Sequence, residues 1–483
     1  MLDTRRHLKK FINGEYKIEL PYVFIAFLLS FLFAYLVAFL PTYQLSQKGV
    51  FTLFILLFAG ALWASEAIPA FAVSLLVIAL EIVLLGFDDF NFSSNSKEWQ
   101  YYLEPWSSPL IFLFLAGFIM AEAASKTKLD FWLAKRVLFF AGGKPENIIT
   151  AIIAITFILS MFVSNTATAA MMMSVLSPLL LSIKSNNPLR KALLLSVVIG
   201  ANIGGMATII GTPPNAIAVG MLKESAPSFV EWIIIALPPA LMMVFLMRLL
   251  IIKFYPSNQT YINLDSLIDV KHSEDGTMSQ SDKDLLPSWK KQVVILIFFI
   301  TVSLWLTSAF HHIPTTVVSL LPIVAFTLFG IIDADDIRLI RWDVIILIVG
   351  GLSLGLGISK YGLDLWFASL ISSDGLSVLM VLGVFSYLVV VISNFMSNTA
   401  ATNIMLPIVI AIATTLSSDS TQMAAIAVAL SASFAMSLPV STPPNAIVYA
   451  SGIVKSKDFL FIGVVTALIG PLFVLGWLSI YFG

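Results

Sequence analysis

The chain has 483 residues, 59% of them hydrophobic and 11% charged, and its mean hydropathy is +0.95. With no cysteine and a net charge of −1, it offers no disulfide or thiolate chemistry and no basic surface for nucleic acid. Repeated apolar runs of about 20 residues, the length that crosses a bilayer core ~30 Å thick, read as spanning helices, and the period-two alternation of a membrane barrel is missing.

Residues 1–17 are a basic N-terminus, placed in the cytoplasm. The apolar run Leu20–Leu40 is too long for a signal-peptide core and has no small-residue cleavage site after it, so it reads as a retained first span. Spans one to three cover 20–41, 50–66 and 68–87, with Ser65-Glu66-Ala67-Ile68-Pro69 between the last two. An acidic loop, 88–106, leads to span four, 107–125. Residues 126–143 mix Lys126, Lys128, Asp130, Lys135 and Arg136 with Phe131, Trp132 and Leu133. That make-up is an interfacial amphipathic helix whose cations anchor to lipid headgroups.

Two apolar arms, 147–163 and 167–183, flank Ser164-Asn165-Thr166. Span five, 190–222, is interrupted at Pro213-Pro214, and span six is 229–255. A polar linker, 256–289, separates this half from the next. Spans seven to nine are 290–310, 313–332 and 341–358, followed by a second amphipathic stretch, 359–371. Arms 375–396 and 400–416 flank Ser397-Asn398-Thr399; span ten, 422–453, is broken at Pro443-Pro444; span eleven is 459–482.

The halves repeat one another. Each Ser-Asn-Thr has a serine four residues earlier, Ser160 and Ser393, and each is followed by Thr-Pro-Pro-Asn, Thr212 to Asn215 and Thr442 to Asn445. The offsets are 233 (397 − 164) and 230 (442 − 212), and Lys126 to Trp132 matches Lys360 to Trp366 at 234 (360 − 126). With the N-terminus inside, all of the 27 basic residues except Lys48, Lys97, Lys223 and Lys360 fall on the cytoplasmic side, and the C-terminus lies outside. Five spans separate the two copies, so the second is inverted. The expected fold is all-α and polytopic, with eleven transmembrane helices plus two re-entrant hairpins in two inverted-topology repeats, which bring both motifs to the bilayer midplane.

A double proline removes two backbone donors and interrupts a helix, freeing the carbonyls near Gly211 and Ser441 and baring N–H groups at Asn215 and Asn445. Carbonyls with Ser and Asn oxygens make a hard-oxygen cage for a small cation such as Na⁺, and helix N-termini suit an anion. No Lys or Arg lies near the motifs in sequence, so an anion's charge must be met by bound cations and backbone dipoles, and each ligand then raises the other's affinity. A single Ser-Asn-Thr would be helix packing more often than a site; the matched double occurrence points to a site. Glu66, Glu81 and Glu122 are acids within or near spans, with interfacial or helix-capping roles as the competing reading. Met171-Met172-Met173 reads as core. A channel would need a continuous polar path. A hydrolase would need a base beside Ser164 or Ser397, and the motifs contain none.

The doubled Ser-Asn-Thr, the doubled Thr-Pro-Pro-Asn and Ser65–Pro69 resemble the divalent anion–sodium symporters, the "I'm not dead yet" type of dicarboxylate carrier, over essentially the whole chain. The resemblance implies a bacterial inner-membrane homodimer working by an elevator motion. The transport domain would be 144–255 and 372–483, the scaffold 18–125 and 290–358, and the joining helices 126–143 and 359–371. It implies one sodium site at Ser160, Ser164, Asn165 and the Gly211 carbonyl, and a second at Ser393, Ser397, Asn398 and the Ser441 carbonyl. Asn165, Thr166, Asn398, Thr399 and Thr442, with Ser164 and Ser397, would meet the substrate. The expected activity is Na⁺-coupled symport of C4-dicarboxylates (succinate, malate, fumarate), with no enzymatic step and no organic cofactor; a dicarboxylate exchanger, or a citrate or sulfate carrier of the same fold, is the alternative.

Overall fold

A computed structural model of the chain describes residues 19–38, 45–88, 91–92, 97–264, 287–370, 377–416 and 418–483. The basic N-terminus and residues 265–286 of the linker lie outside them. Every regular element among the described residues is helical. The first half holds α1 (Leu20–Ala38), α2 (Gln47–Ser65), α3 (Ala70–Leu85), a 3₁₀ segment (Glu98–Ser107), α4 (Pro109–Lys126), α5 (Leu129–Ala141), α6 (Pro145–Ser160), α7 (Asn165–Ser182), α8 (Leu189–Gly205), α9 (Pro213–Leu222) and α10 (Phe229–Phe254). The second holds α11 (Ser288–Leu306), α12 (Ser308–His311), α13 (Thr315–Leu328), α14 (Ala334–Leu339), α15 (Trp342–Lys360), α16 (Leu363–Ser369), α17 (Val378–Ser393), α18 (Asn398–Thr414), α19 (Ser418–Ala432), α20 (Pro443–Ala450) and α21 (Ser456–Tyr481).

Helix starts are written locally. Ser46, Ser108, Ser164, Ser228, Ser377 and Ser397 each accept a first-turn N–H, and α4, α6, α9 and α20 carry proline in their first turn, where no donor is needed. Lipid offers no hydrogen bonds, so such caps matter more here than in water. Among the described residues, eight helical stretches are long and apolar enough to cross a membrane: Leu20–Ala38, Gln47–Ser65, Glu98–Lys126, Asn165–Ser182, Phe229–Phe254, Ser288–Leu306, Trp342–Lys360 and Ser456–Tyr481. Expected spans three and eight are shorter than their sequence ranges. α3 has 16 residues between Pro69 and Gly86, and α13 has 14 between Pro314 and the left-handed Gly330. Proline sets where each helix can begin and glycine where it stops.

Expected spans five and ten are each two helices around a break, α8–α9 and α19–α20. α8 is buried without interruption from Ala192 to Gly205, and α19 is wholly buried from Ala424 to its end. These two helices occupy the centre, so both breaks sit there too. The packing pairs match between halves. α6 lies on α8 as α17 lies on α19, and α5 on α7 as α16 on α18. The remaining pairs cross over: α7 packs on α20 and α18 on α9, while α3 packs on α15 and α13 on α4.

Candidate functional site: two tips against two broken helices

In the first half the α6–α7 tip meets the α8–α9 break. Ser164 caps α7, its hydroxyl accepting from Ala167 N at 3.3 Å. The Ser160 hydroxyl oxygen lies 2.7 Å from Asn165 Oδ1 and 2.7 Å from the Ala201 carbonyl of α8. One hydroxyl proton can serve only one of those oxygens. With the amide oxygen facing Ser160, the other contact is a close oxygen–oxygen approach that a cation would relieve. The Thr208 hydroxyl donates to the Met161 carbonyl at the tip and accepts from Gly211 N at 3.1 Å. Gly205 and Gly211 are required for closeness: a methyl group on Gly205 would overlap the Asn165 amide, and one on Gly211 would overlap the Gly205 carbonyl.

In the second half Ser397 caps α18 through Ala400 N at 3.2 Å. The Ser441 hydroxyl lies 3.0 Å from the Asn394 carbonyl and 3.2 Å from Asn394 Oδ1, which also accepts from Ser437 N at 2.8 Å. Ser393 Oγ and Asn398 Oδ1 are buried with no hydrogen-bond partner among the described residues. Thr399 is buried, while Thr166 is half-buried at the start of α7.

The Thr-Pro-Pro-Asn asparagines turn out to close the breaks. Asn215 Nδ2 lies 3.2, 3.2 and 2.7 Å from the carbonyls of Gly205, Met206 and Thr208. Asn445 Nδ2 lies 2.9 and 2.8 Å from those of Met436 and Leu438. These carbonyls lie at and just beyond the ends of α8 and α19, where the helical hydrogen-bond ladder stops, and the asparagine side chain supplies them with a donor. The N–H groups expected to be bare are engaged: Asn215 N donates to Thr212 O at 3.2 Å and Asn445 N to Thr442 Oγ1 at 3.4 Å. Thr442 in turn donates to Asn445 Oδ1 at 2.9 Å, and Asn202 Nδ2 of the first half reaches the same oxygen at 3.2 Å.

Four contributors escaped the sequence reading: Thr208, Asn394, Asn202 and the Ala201 carbonyl. The repeat offset held a clue to the first. Thr208 and Gly211 align with Leu438 and Ser441, so the hydroxyl absent at 211 stands three residues earlier. Among the other candidates, Glu66 is the left-handed C-cap of α2. Glu81 is fully buried and accepts from Ser353 of α15. Lys126 is an internal brace and not a headgroup anchor, bonded to Asp333 at 2.9 Å and Asp336 at 2.5 Å; the Lys126 bond holds the Asp333 carboxyl down to about 2. Met172 is fully buried, with Met171 and Met173 packed beside it. A cavity of about 380 Å³ lies apart from the motifs, between α9, α15, α16 and α18, with Glu104, Lys223, Ser359 and Asp364 in its wall.

The chain matches the sodium:sulfate symporter transmembrane region over residues 23–482. It is 31% identical to the sodium-dependent dicarboxylate transporter SdcS of Staphylococcus saprophyticus, covering 87% of this chain and 83% of that one. It is 29% identical to the sodium-dependent high-affinity dicarboxylate transporter 3 of Caenorhabditis elegans, over 84% of this chain and 78% of that one. Among solved structures, MtrF of Neisseria gonorrhoeae superposes with a TM-score of 0.55 at 10% identity, covering 87% of this chain and 96% of that one, a likeness of fold alone. The chain is therefore a multi-pass membrane transporter, not an enzyme, and belongs to the sodium:sulfate symporter family.

Proposed function

We propose that this transporter moves C4-dicarboxylates such as succinate, malate and fumarate inward together with Na⁺. The oxygen arrangement at the two tips carries the reading. At the first, three oxygens crowd around one proton; at the second, two buried oxygens have no partner among the described residues. A small hard cation answers both. The sodium sites are Ser160, Ser164, Asn165 with the Gly211 carbonyl, and Ser393, Ser397, Asn398 with the Ser441 carbonyl. Among the described residues no charged side chain is hydrogen-bonded to these groups, so the dicarboxylate, held at Asn165, Thr166, Asn398, Thr399 and Thr442, depends on the cations for its charge balance. The Staphylococcus and Caenorhabditis relatives, named as sodium-dependent dicarboxylate transporters, agree with this pairing of ligands.

The position of the tips supports the reading of re-entrant hairpins. If α8 and α9 together cross the bilayer, their break lies about 26 Å from one end and 15 Å from the other at ~1.5 Å per residue. The tip at Met161 is bonded to that break through Thr208, so the hairpin turns at mid-depth. Orientation with the N-terminus in the cytoplasm has support as well. Three of the four outlying cations share one end of the molecule: Lys48 and Lys360 both approach Glu98, and Lys223 shares a cavity with Glu104 of the same 3₁₀ segment. Segments 144–255 and 372–483 would slide as a unit against 18–125 and 290–358, in a homodimer of a bacterial inner membrane.

The test is uptake of radiolabelled succinate into proteoliposomes with empty lumens, under an inward Na⁺ gradient and under an equal K⁺ gradient. Uptake with Na⁺ alone is expected. Uptake that waits for a lumen loaded with unlabelled dicarboxylate would replace symport by exchange.

A further inference from the structure

Helix α5 carries a charge arrangement that nothing in the transport reading uses. Its inner stripe, Ala134 and Leu138, is fully buried, and its outer stripe exposes Trp132, Phe139 and Phe140, the last by 73%. Two cations fold onto that outer stripe and a third flanks it. Lys135 Nζ lies 4.8 Å from the Phe131 ring centre, and the Arg136 guanidinium lies 5.2 Å from the Trp132 ring and 5.5 Å from that of Phe140. Lys291, at the start of α11 in the other half, places its ammonium 4.7 Å from the same Trp132 ring. Two cations 155 residues apart in sequence (291 − 136) thus converge on one indole. Among the described residues none of the three forms an ion pair. Asp130 acts on Lys291 at longer range, but its Oδ1 is occupied by the Phe131 N–H at 2.7 Å.

The counterpart helix α16 is built differently. It carries Asp364 and no cation of its own, and the preceding Lys360 is spent on Glu98 at 3.8 Å and on the rings of Tyr101, Tyr102 and Tyr361. So positive charge that forms no ion pair among the described residues, set among exposed aromatic rings, marks the α5 end of the molecule, and α16 carries no counterpart to it. Aromatic side chains seek the headgroup level of a bilayer, and cations beside them gain by meeting anionic headgroups.

We propose that the outer face of α5 and the first turn of α11 form a binding site for an anionic phospholipid. Arg136 and Lys291 hold its phosphate beside Trp132, Lys135 adds charge from the side, and Phe139 and Phe140 lie along its acyl chains. Because α5 leads into the α6–α7 hairpin while α11 belongs to the other half, the lipid ties the hairpin's leading helix to the far half of the chain.

The experiment uses the full-length protein, delipidated in detergent, and native mass spectrometry with added phosphatidylglycerol or phosphatidylcholine. It needs no transport, so its outcome is separate from that of the sodium-coupling reading. The wild type should retain phosphatidylglycerol in preference to phosphatidylcholine. Arg136→Gln with Lys291→Gln should weaken that preference about fivefold per cation removed, or about thirtyfold together. Arg136→Lys with Lys291→Arg, which keeps both charges, should retain it, so a loss in the first variant is not a folding artefact. Equal retention of the two lipids by the wild type would overturn the proposal, as would an unchanged preference in the double glutamine variant. Displacement of the lipid by excess inorganic phosphate would identify a site for the free anion and overturn the lipid assignment.

Discussion

At the first tip the Ser160 hydroxyl lies 2.7 Å from both the Asn165 amide oxygen and the Ala201 carbonyl; at the second, the matching Ser393 hydroxyl and Asn398 oxygen are buried without a partner among the described residues. The bridge from tip to break also changes hands. Thr208 makes it in the first half and Ser441 in the second, where Asn394 takes the place of Met161. Leaving a buried polar group unmade costs about 1–3 kcal/mol, which is recovered when a ligand supplies the missing contact. On the proposed function, the first site is preassembled and the second is completed by its cation, so the two sodium ions bind unequally. On that reading, near-identical sequence motifs give two sites with different coupling.

The largest effect should come from removing the shared amide. Asn165→Ala and Asn398→Ala should each lower Na⁺-driven succinate uptake at least about 100-fold, with membrane insertion intact by accessibility labelling; wild-type rates from either variant would strike that residue from the site. The next experiment exchanges the residues that differ. Gly211→Ser places side-chain atoms on the Gly205 carbonyl and should reduce uptake about thirtyfold or more, whereas Ser441→Gly loses the bond donated to Asn394 and the bond accepted from Leu438 N, together worth about 1–2 kcal/mol, and should cost about five- to thirtyfold. Equal tolerance at both positions would mean that the two breaks are equivalent after all.

Ser160→Ala and Ser393→Ala separate preassembly from completion. Without sodium, Ser160→Ala should melt a few degrees lower because the Ala201 carbonyl loses its donor, while Ser393→Ala should melt at or above the wild type, having shed an unpaired buried hydroxyl. Both should raise the Na⁺ concentration for half-maximal uptake. The reverse order of melting temperatures would contradict the bonding difference. The smallest effect is expected from Asn202→Ala, which removes the 3.2 Å bond to Asn445 that joins the halves. Ala432 stands at the equivalent place in the second half, so that half already works without such a bond. A reduction in uptake of about fivefold or less fits the loss of one neutral hydrogen bond.

Much of this was legible in the chain itself. The apolar runs marked the spans, the Ser-Asn-Thr triplets marked the tips between paired arms, and the double prolines marked the breaks. Those signals act within a few residues, through caps, missing donors and hydropathy. The repeat offset carried further and located both motif pairs. What it hid was everything unmatched: Asn394 aligns with Met161, Asn202 with Ala432 and Thr208 with Leu438, so a search for recurring residues passes over each of them.

By itself the sequence determined the membrane class, the two-fold repetition and the residues that cluster at the tips, because hydropathy, capping and helix breaking are decided between near neighbours. Only the tertiary structure decided which oxygens share a proton, that Asn215 and Asn445 close the breaks, that Lys126 braces Asp333 and Asp336, and that Arg136 and Lys291 meet over one indole. Those contacts join positions from 5 to 210 residues apart (165 − 160; 336 − 126). They depend on which face each helix turns toward the next, and that is settled by packing among all the helices together rather than along any one of them.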